Sequence, residues 1–140
     1  MSLVHATCVA LDGAGVLIRG RSGAGKSDLG LRLIDGGAEL VADDYCEVTA
    51  NDGVLTARAP AAISGRIEVR GYGIVRMPTL ASAVIVLVVD LKSMDDIPRL
   101  PDTATCTIDG VTVPWLAIDP SQPSAAAKVR LAARSVEHRS

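Results

Sequence analysis

A glycine-rich segment near the start of the chain constrains its fold more than any other feature. Residues 20–27 read Gly-Arg-Ser-Gly-Ala-Gly-Lys-Ser, which fits the phosphate-binding loop pattern of Gly, four residues and Gly-Lys-Ser without a mismatch. The apolar run Val16, Leu17 and Ile18 predicts a strand that enters the loop, and residues 27–34 predict a helix that leaves it. Because strand, loop and helix follow in the order that the motif requires, we interpret this segment as a nucleotide-binding loop.

The residue types of this loop suit phosphate binding. Glycines let the backbone bend around a phosphate with no Cβ in the way, successive N–H groups form an anion nest, and the following helix adds its positive N-terminal dipole. We expect Lys26 to contact the β- and γ-phosphates and the Ser27 hydroxyl to bind Mg²⁺. The predicted nucleotide-binding residues are Gly20, Arg21, Ser22, Gly23, Ala24, Gly25, Lys26 and Ser27.

Composition excludes several other classes of protein. The 140 residues are enough for a single domain with a sizeable core, and the longest apolar run, residues 81–90, is too short to cross a bilayer. With no signal peptide at the N-terminus, we expect a cytoplasmic location. The net charge of −2, two tyrosines and one tryptophan argue against a nucleic-acid partner. The unclustered Cys8, Cys46 and Cys106 are expected to be small core residues.

Hairpins with glycine-containing turns dominate the rest of the chain. Strands are predicted at residues 3–11, 15–19, 38–42, 45–49, 54–58, 65–70, 84–89, 103–108 and 111–116, and helices at residues 26–35 and from 124 to between 137 and 139. Ordinary phosphate-loop NTPases alternate strands and helices throughout. The pattern here instead predicts an α/β fold in which a mixed, strand-rich sheet with few helices surrounds the loop.

Two acidic elements compete as partners of the loop. Asp90 follows the apolar run 84–89, as the acidic residue of a Walker-B strand does. Asp43 and Asp44 follow the strand after the first helix, which in a parallel arrangement ends at the same sheet edge as the loop. Two adjacent carboxylates can divide metal contact and proton transfer between them, and alternation along a strand predicts that they point in different directions. The residues alone leave both alternatives open.

Four segments, taken in order, resemble the catalytic domain of the bacterial HPr kinase/phosphorylase family. That family has a histidine in the strand before the loop, then GxSGxGKS, a "VADD" strand end and a segment of the type "LE-RG-GI". The corresponding elements here are His5, residues 20–27, residues 41–44 and residues 67–75, so the resemblance covers about residues 3–80. The family's fold is related to phosphoenolpyruvate carboxykinase, which is also strand-rich around its phosphate loop.

The resemblance implies a serine protein kinase that uses ATP and Mg²⁺ to phosphorylate the phosphocarrier protein HPr of the phosphotransferase system, with a reverse phosphorylase reaction. It implies that Lys26 is the catalytic lysine and that Ser27 and Glu68 contact Mg²⁺. The pair Asp43 and Asp44 matches the family's general base, and His5 matches a histidine that assists it. The mobile signature region of the family is similar to residues 67–75, which include Glu68, Arg70, Gly71 and Gly73.

The sequence differs from the family in three places. The chain starts almost at His5, so we expect a minimal version without the family's N-terminal regulatory domain. Residues 115–120 lie where the family has an arginine-bearing segment but contain no arginine, which leaves Arg130 as a candidate substitute. The family forms hexamers, whereas the alanine-rich final helix leaves open whether this chain forms a homo-oligomer.

Two other functions stay open on the sequence. The missing arginine would suit a nucleotide-binding regulatory module that has lost transfer chemistry. A small-molecule kinase of the ordinary phosphate-loop type would need an arginine-rich lid and a regular alternation of strands and helices, and the sequence indicates neither.

Overall fold

The computed structural model describes residues 1–137, which form eleven strands and two α-helices. The strands are β1 (Ser2–Val4), β2 (Ala6–Leu11), β3 (Ala14–Arg19), β4 (Glu39–Ala42), β5 (Cys46–Asn51), β6 (Val54–Arg58), β7 (Arg66–Val69), β8 (Gly73–Arg76), β9 (Ala83–Leu91), β10 (Ala104–Ile108) and β11 (Val111–Ile118). The helices are α1 (Lys26–Asp35) and α2 (Ala125–Glu137). An extension of α2 to Arg139, within the predicted range, lies outside the described residues.

Nine of these strands form one mixed sheet. Its order is β1-β5-β6-β9-β3-β2-β4, and the β10–β11 hairpin joins it where β11 pairs in parallel with β9. The β3–β9 ladder is also parallel, whereas the other ladders of the described sheet are antiparallel. Strands β7 and β8 form a separate two-stranded antiparallel sheet. The prediction of a mixed, strand-rich α/β fold with few helices is confirmed.

Four strands of the main sheet end at the same edge. Strands β3 and β4 are both antiparallel to β2 and therefore run in the same direction. Strands β9 and β11 share this direction through their parallel ladders. Because strands that run the same way present their carboxyl ends at one edge, the segments that follow β3, β4, β9 and β11 lie along it. The phosphate-loop segment and the Asp43-Asp44 pair therefore lie at a common edge, as the sequence predicted.

Helix α1 lies at the predicted residues and packs closely on the sheet. Its side chains Leu29 and Leu33, one helical turn apart, are fully buried. Gly30 faces β2 so closely that a Cβ at this position would lie 3.0 Å from Thr7 Cγ2. A larger residue would push the helix, and with it the loop at its start, away from the sheet.

The core is aliphatic and lies on both faces of the main sheet. One cluster includes Leu17, Val48 and Val88, and a second lies under the two helices and includes Ile18 and Val129. The three cysteines are free thiols, of which Cys8 and Cys46 are buried and Cys106 is half-buried. The predicted role as small core residues is confirmed for Cys8 and Cys46, whereas Cys106 packs against the same core from its edge.

The structure corrects two predicted strands. The strand expected at residues 3–11 is divided at His5, because β1 pairs with β5 whereas β2 pairs with β3 and β4. The strand expected at residues 65–70 is β7, one half of a hairpin whose other half, β8, the sequence did not predict. Strand β8 reads Gly-Ile-Val-Arg and is largely exposed. Its sequence does not alternate between apolar and polar residues, which is the pattern that predicts a strand.

Asp90 is engaged in a structural ion pair. Arg19 donates two parallel hydrogen bonds to it, each 2.8 Å long, and Trp115 Nε1 donates a third of 2.7 Å. Burial alone would raise the pKa of Asp90, but the hydrogen bonds from Arg19 and Trp115 outweigh burial and hold that pKa below its ordinary value. These contacts join neighbouring strands of the sheet, which explains an acidic residue here without a role in nucleotide chemistry.

Replacing Asp90 with asparagine should therefore lower stability and leave nucleotide binding intact. We expect Asp90→Asn to lower the free energy of unfolding by about 1–3 kcal/mol at neutral pH, since Arg19 loses its charged partner. The ion pair contributes fully to the free energy of unfolding above pH 3.8, the ordinary aspartate pKa. This contribution is lost as the pH falls through the lower pKa that Asp90 has in the folded protein. Urea unfolding at neutral and strongly acidic pH should show the difference between the two proteins disappear in acid.

The matched control is Asp52→Asn in an exposed hairpin turn, which should change neither stability nor nucleotide binding. An Asp90→Asn protein of unchanged stability that no longer binds nucleotide would instead place Asp90 in the functional site.

Candidate functional site

The segment between β3 and α1 forms a glycine-dependent loop at the common edge of the sheet. Gly23 and Gly25 have φ angles of 81° and 105°, which L residues with side chains rarely adopt. Gly25 stands directly before α1, and a Cβ there would also lie 3.3 Å from Pro120. The loop is therefore held between the start of the helix and the segment that follows β11.

Lys26 is enclosed beside this loop. It is only 5% exposed, and its ammonium group donates hydrogen bonds to the carbonyl oxygens of Gly20 at 2.9 Å and Arg21 at 3.0 Å. Among the described residues no carboxylate forms an ion pair with it. A buried cation is costly without an anionic partner, so this position favours a bound anion.

Asp43 connects three elements of the fold. Its Oδ1 accepts hydrogen bonds from Thr7 Oγ1 at 2.9 Å and from Ser27 Oγ at 2.6 Å. Its Oδ2 accepts one from the backbone N–H of Glu68 at 2.9 Å. The residue is 7% exposed, so these bonds from β2, α1 and β7 fix its carboxylate in place.

Asp44 points the other way, toward solvent and His5. Its side chain is 57% exposed, and its Oδ1 lies 2.8 Å from His5 Nε2. The His5 ring stacks on Tyr45 with a centroid distance of 5.0 Å, which fixes the plane of the imidazole. The two adjacent carboxylates thus have different directions and different surroundings, as predicted. The reason differs from the prediction, because β4 ends at Ala42 and Asp44 has a left-handed backbone with φ 68°, so strand alternation does not extend to this pair.

These groups surround a cleft with a volume of about 430 Å³. It is lined by Ser22, Gly23, Gly25, Lys26, Ser27, Asp28, Leu31, Asp44, Glu68, Val69 and Arg70. The β7–β8 hairpin forms one wall, and Gly71 and Gly73, with φ angles of 79° and 146°, lie in and next to its turn. Glu68 and Arg70 are exposed, and within the described residues they form no ion pair with each other.

Most of the predicted site residues lie around this one cleft. His5, Lys26, Ser27, Asp43, Asp44, Glu68 and Arg70 all line it or contact a residue that does. Arg130 does not, because its guanidinium donates to the carbonyl oxygens of Arg32 and Leu33 at the far end of α1. It therefore cannot substitute for an arginine beside the loop.

Sequence reasoning missed the role of Thr7. It is fully buried, its hydroxyl bonds to Asp43, and the backbone N–H of Asp44 lies 3.4 Å from the same oxygen. The available signal was its spacing of two residues from His5, which places both side chains on one face of an extended segment.

Side chains alone do not complete a metal site in this cleft. Among the described residues, no group of three or more His, Cys, Asp or Glu side chains could hold a metal ion. A Mg²⁺ ion commonly takes one or two protein oxygens and completes its shell with water and substrate phosphate. The adjacent oxygens of Ser27 and Asp43 fit such a site.

Comparison with known proteins assigns the chain to a family. The family model described as the HPr Serine kinase C-terminal domain matches residues 1–133. The chain belongs to this family. Within the described residues, neither helix of this HPr serine kinase C-terminal domain has the length and apolar character needed to cross a lipid bilayer.

Individual relatives agree with the family model. The chain is 47% identical over 100 residues to the HPr kinase/phosphorylase of a Geobacillus species, which covers 66% of this chain and 32% of the relative. It is 47% identical over 77 residues to the HPr kinase/phosphorylase of Clostridium novyi, covering 55% and 25% respectively. The chain thus spans about a third or less of the length of these relatives.

A solved structure extends the likeness to the whole fold. The HPr(Ser) kinase/phosphatase from Coxiella burnetii superimposes with a TM-score of 0.87 at 26% sequence identity, covering 99% of this chain and 98% of that chain. The predicted resemblance to the HPr kinase family is confirmed.

Proposed function

We propose that this chain is a serine protein kinase that transfers the γ-phosphoryl group of ATP to HPr. One observation supports this function most directly: a single cleft is lined both by the buried ammonium of Lys26, which has no carboxylate partner among the described residues, and by the exposed carboxylate of Asp44. Phosphoryl transfer to a hydroxyl needs a cation beside the transferred phosphate and a base that takes the hydroxyl proton, and these two groups would fill those roles. The named relatives are HPr kinases, which supports HPr as the acceptor.

The loop side of the cleft would bind the nucleotide. Lys26 would exchange its carbonyl partners for the β- and γ-phosphates, and the N-terminus of α1 would add its dipole. Ser27 would hold Mg²⁺ with support from Asp43, and Glu68 would approach it from the hairpin wall. When bound, the ion would neutralise charge on the phosphates.

Asp44 is the carboxylate that we assign as general base. An incoming serine hydroxyl can reach it because it is exposed in the cleft, whereas Asp43 is buried and already accepts three hydrogen bonds. The serine oxygen attacks the γ-phosphorus, the bond from that phosphorus to the bridging oxygen of ADP breaks, and the serine proton passes to Asp44. His5 holds the Asp44 carboxylate in position for this transfer.

The same residues would serve a phosphorylase reaction in reverse. Inorganic phosphate would attack the phosphorus of phosphoserine, the bond from that phosphorus to the serine oxygen would break, and pyrophosphate would leave. Protonated Asp44 would give its proton to the freed serine oxygen. Arg70 is the arginine that lines the cleft, and it stands on the hairpin wall beside Glu68. From this wall Arg70 would contact phosphate, whereas Arg130 at the far end of α1 would not.

Incubation of the protein with HPr and γ-labelled ATP tests the kinase function. We expect label on a serine of HPr and none on the HPr serine-to-alanine variant. Nucleotide binding without label on HPr would favour a regulatory module instead. Label on a metabolite in place of HPr would favour a small-molecule kinase.

A further inference from the structure

The β7–β8 hairpin has one buried and one exposed face. In its register Ile67 lies opposite Val75 and points inward, and Ile67 is fully buried. The next positions alternate outward, so that Arg66 lies opposite Arg76 and Glu68 lies opposite Ile74 on the exposed face. The hairpin thus rests on the molecule by one face and presents the other to solvent.

The exposed face combines large apolar side chains with positive charge. Tyr72 in the turn is 83% exposed, and Ile74 is 73% exposed. Arg66 and Arg76 are directly opposed, an arrangement that repels across an antiparallel pair. Within the described residues neither arginine forms an ion pair. The hairpin's own fold does not account for this combination, since inward packing uses the opposite face and the backbone ladder lies in the plane between the two faces.

This face is continuous with the catalytic cleft. Glu68 and Arg70 belong to both, since they are exposed and line the cleft from the hairpin side. Asp44, the group that must meet the acceptor hydroxyl, lines the same cleft and is open to solvent. A protein whose serine enters the cleft would therefore cover the outer face of the hairpin.

We propose that the exposed face of the β7–β8 hairpin, on which three arginines (Arg66, Arg70 and Arg76) outnumber the one carboxylate (Glu68) beside Tyr72 and Ile74, is the docking surface for the acceptor protein. This inference rests on the proposed kinase function. The charge and apolar area fit a partner surface that carries carboxylates beside apolar side chains, next to its acceptor serine. Contact with such a surface relieves the repulsion between the opposed arginines and removes Tyr72 and Ile74 from water.

Steady-state kinetics with HPr as the varied substrate test this surface. We expect the double variant Tyr72→Ala/Ile74→Ala to raise KM for HPr about tenfold, with kcat at saturating HPr and the Kd for ATP unchanged. The double variant Arg66→Ala/Arg76→Ala should raise KM by a similar factor and weaken its dependence on salt. The matched control is Arg99→Ala/Leu100→Ala, another exposed arginine and apolar pair, in which Leu100 is 87% exposed.

The outcomes separate this inference from the function on which it rests. Absence of transfer by the wild-type protein would overturn the kinase function. Transfer by the wild type with KM for HPr unchanged in both hairpin variants would overturn the docking surface alone. A change in the mass of the particle in solution, with KM unchanged, would also overturn it and would identify the hairpin as a contact between copies of the chain.

Discussion

Asp44→Asn is expected to lower kcat by about 10²- to 10⁴-fold, the range that a positioned general base contributes. Asparagine keeps the size of the side chain but cannot take the serine proton. It also tolerates the left-handed backbone of this position, where φ is 68°, so the loop after β4 should be retained. The Kd for ATP should change little, because the proposed function assigns Asp44 to the acceptor serine and not to the nucleotide. Single-turnover transfer to HPr and calorimetric titration with ATP measure the two quantities.

Asp52→Asn is the control for this variant. Asp52 also has a positive φ, of 51°, and is exposed, but it lies in the β5–β6 turn outside the lining of the cleft. It should keep full activity. The same retained activity in Asp44→Asn would contradict its role as base and reduce the residue to a turn position. A large loss in Asp43→Asn that appears as weaker Mg²⁺-dependent nucleotide binding would agree with the division of roles proposed above.

Lys26→Ala is expected to abolish transfer by removing nucleotide binding. The ammonium would supply charge-assisted hydrogen bonds to phosphate, each contributing about 1.5–3 kcal/mol, so loss of two predicts a Kd for ATP raised by about 10²-fold or more. The fold should survive, because the enclosed ammonium has only carbonyl partners within the described residues and its removal also removes its desolvation cost. Calorimetric titration with ATP and a thermal unfolding curve without nucleotide measure both effects.

Lys92→Ala is the matched control for the lysine variant. Lys92 is exposed at the same sheet edge, with its ammonium 5.7 Å from the centre of the Trp115 ring, and it does not line the cleft. Its replacement should leave transfer to HPr near the wild-type level. Surviving transfer in Lys26→Ala would show that the loop is not the catalytic nucleotide site.

Local sequence patterns predicted the positions of the loop and of α1, and the sheet edge that the loop shares with the Asp43-Asp44 pair. The glycine-rich loop and α1 were predicted at their observed positions because the loop motif and the following helix are encoded in adjacent residues. The sheet edge shared by the loop and the Asp43-Asp44 pair followed from the order of strand, helix and strand. The hydrogen bonds of this pair could not be predicted, since Asp43 bonds to Thr7, 36 positions away in sequence.

Long-range pairing accounts for what sequence reasoning missed. The chain changes partners at His5, from β5 to β3 and β4, and no residue in the segment marks that change. Asp90 resembled a Walker-B acid because its strand is apolar, and its ion pair joins residues 71 positions apart. Strand β8 has too little apolar alternation to be predicted without its partner β7.

The bond from the Glu68 amide to Asp43 gives the hairpin a sensitivity to what binds at Asp43. Strands β7 and β8 share no ladder with the main sheet in the described structure, so this bond is a direct polar link between the hairpin and the sheet edge where Asp43 lies. Capture of Asp43 by a metal ion would weaken the link without changing the packing of Ile67. Hydrogen exchange at the Glu68 amide would then accelerate, and the solvent protection of one backbone group would report the occupancy of the cleft.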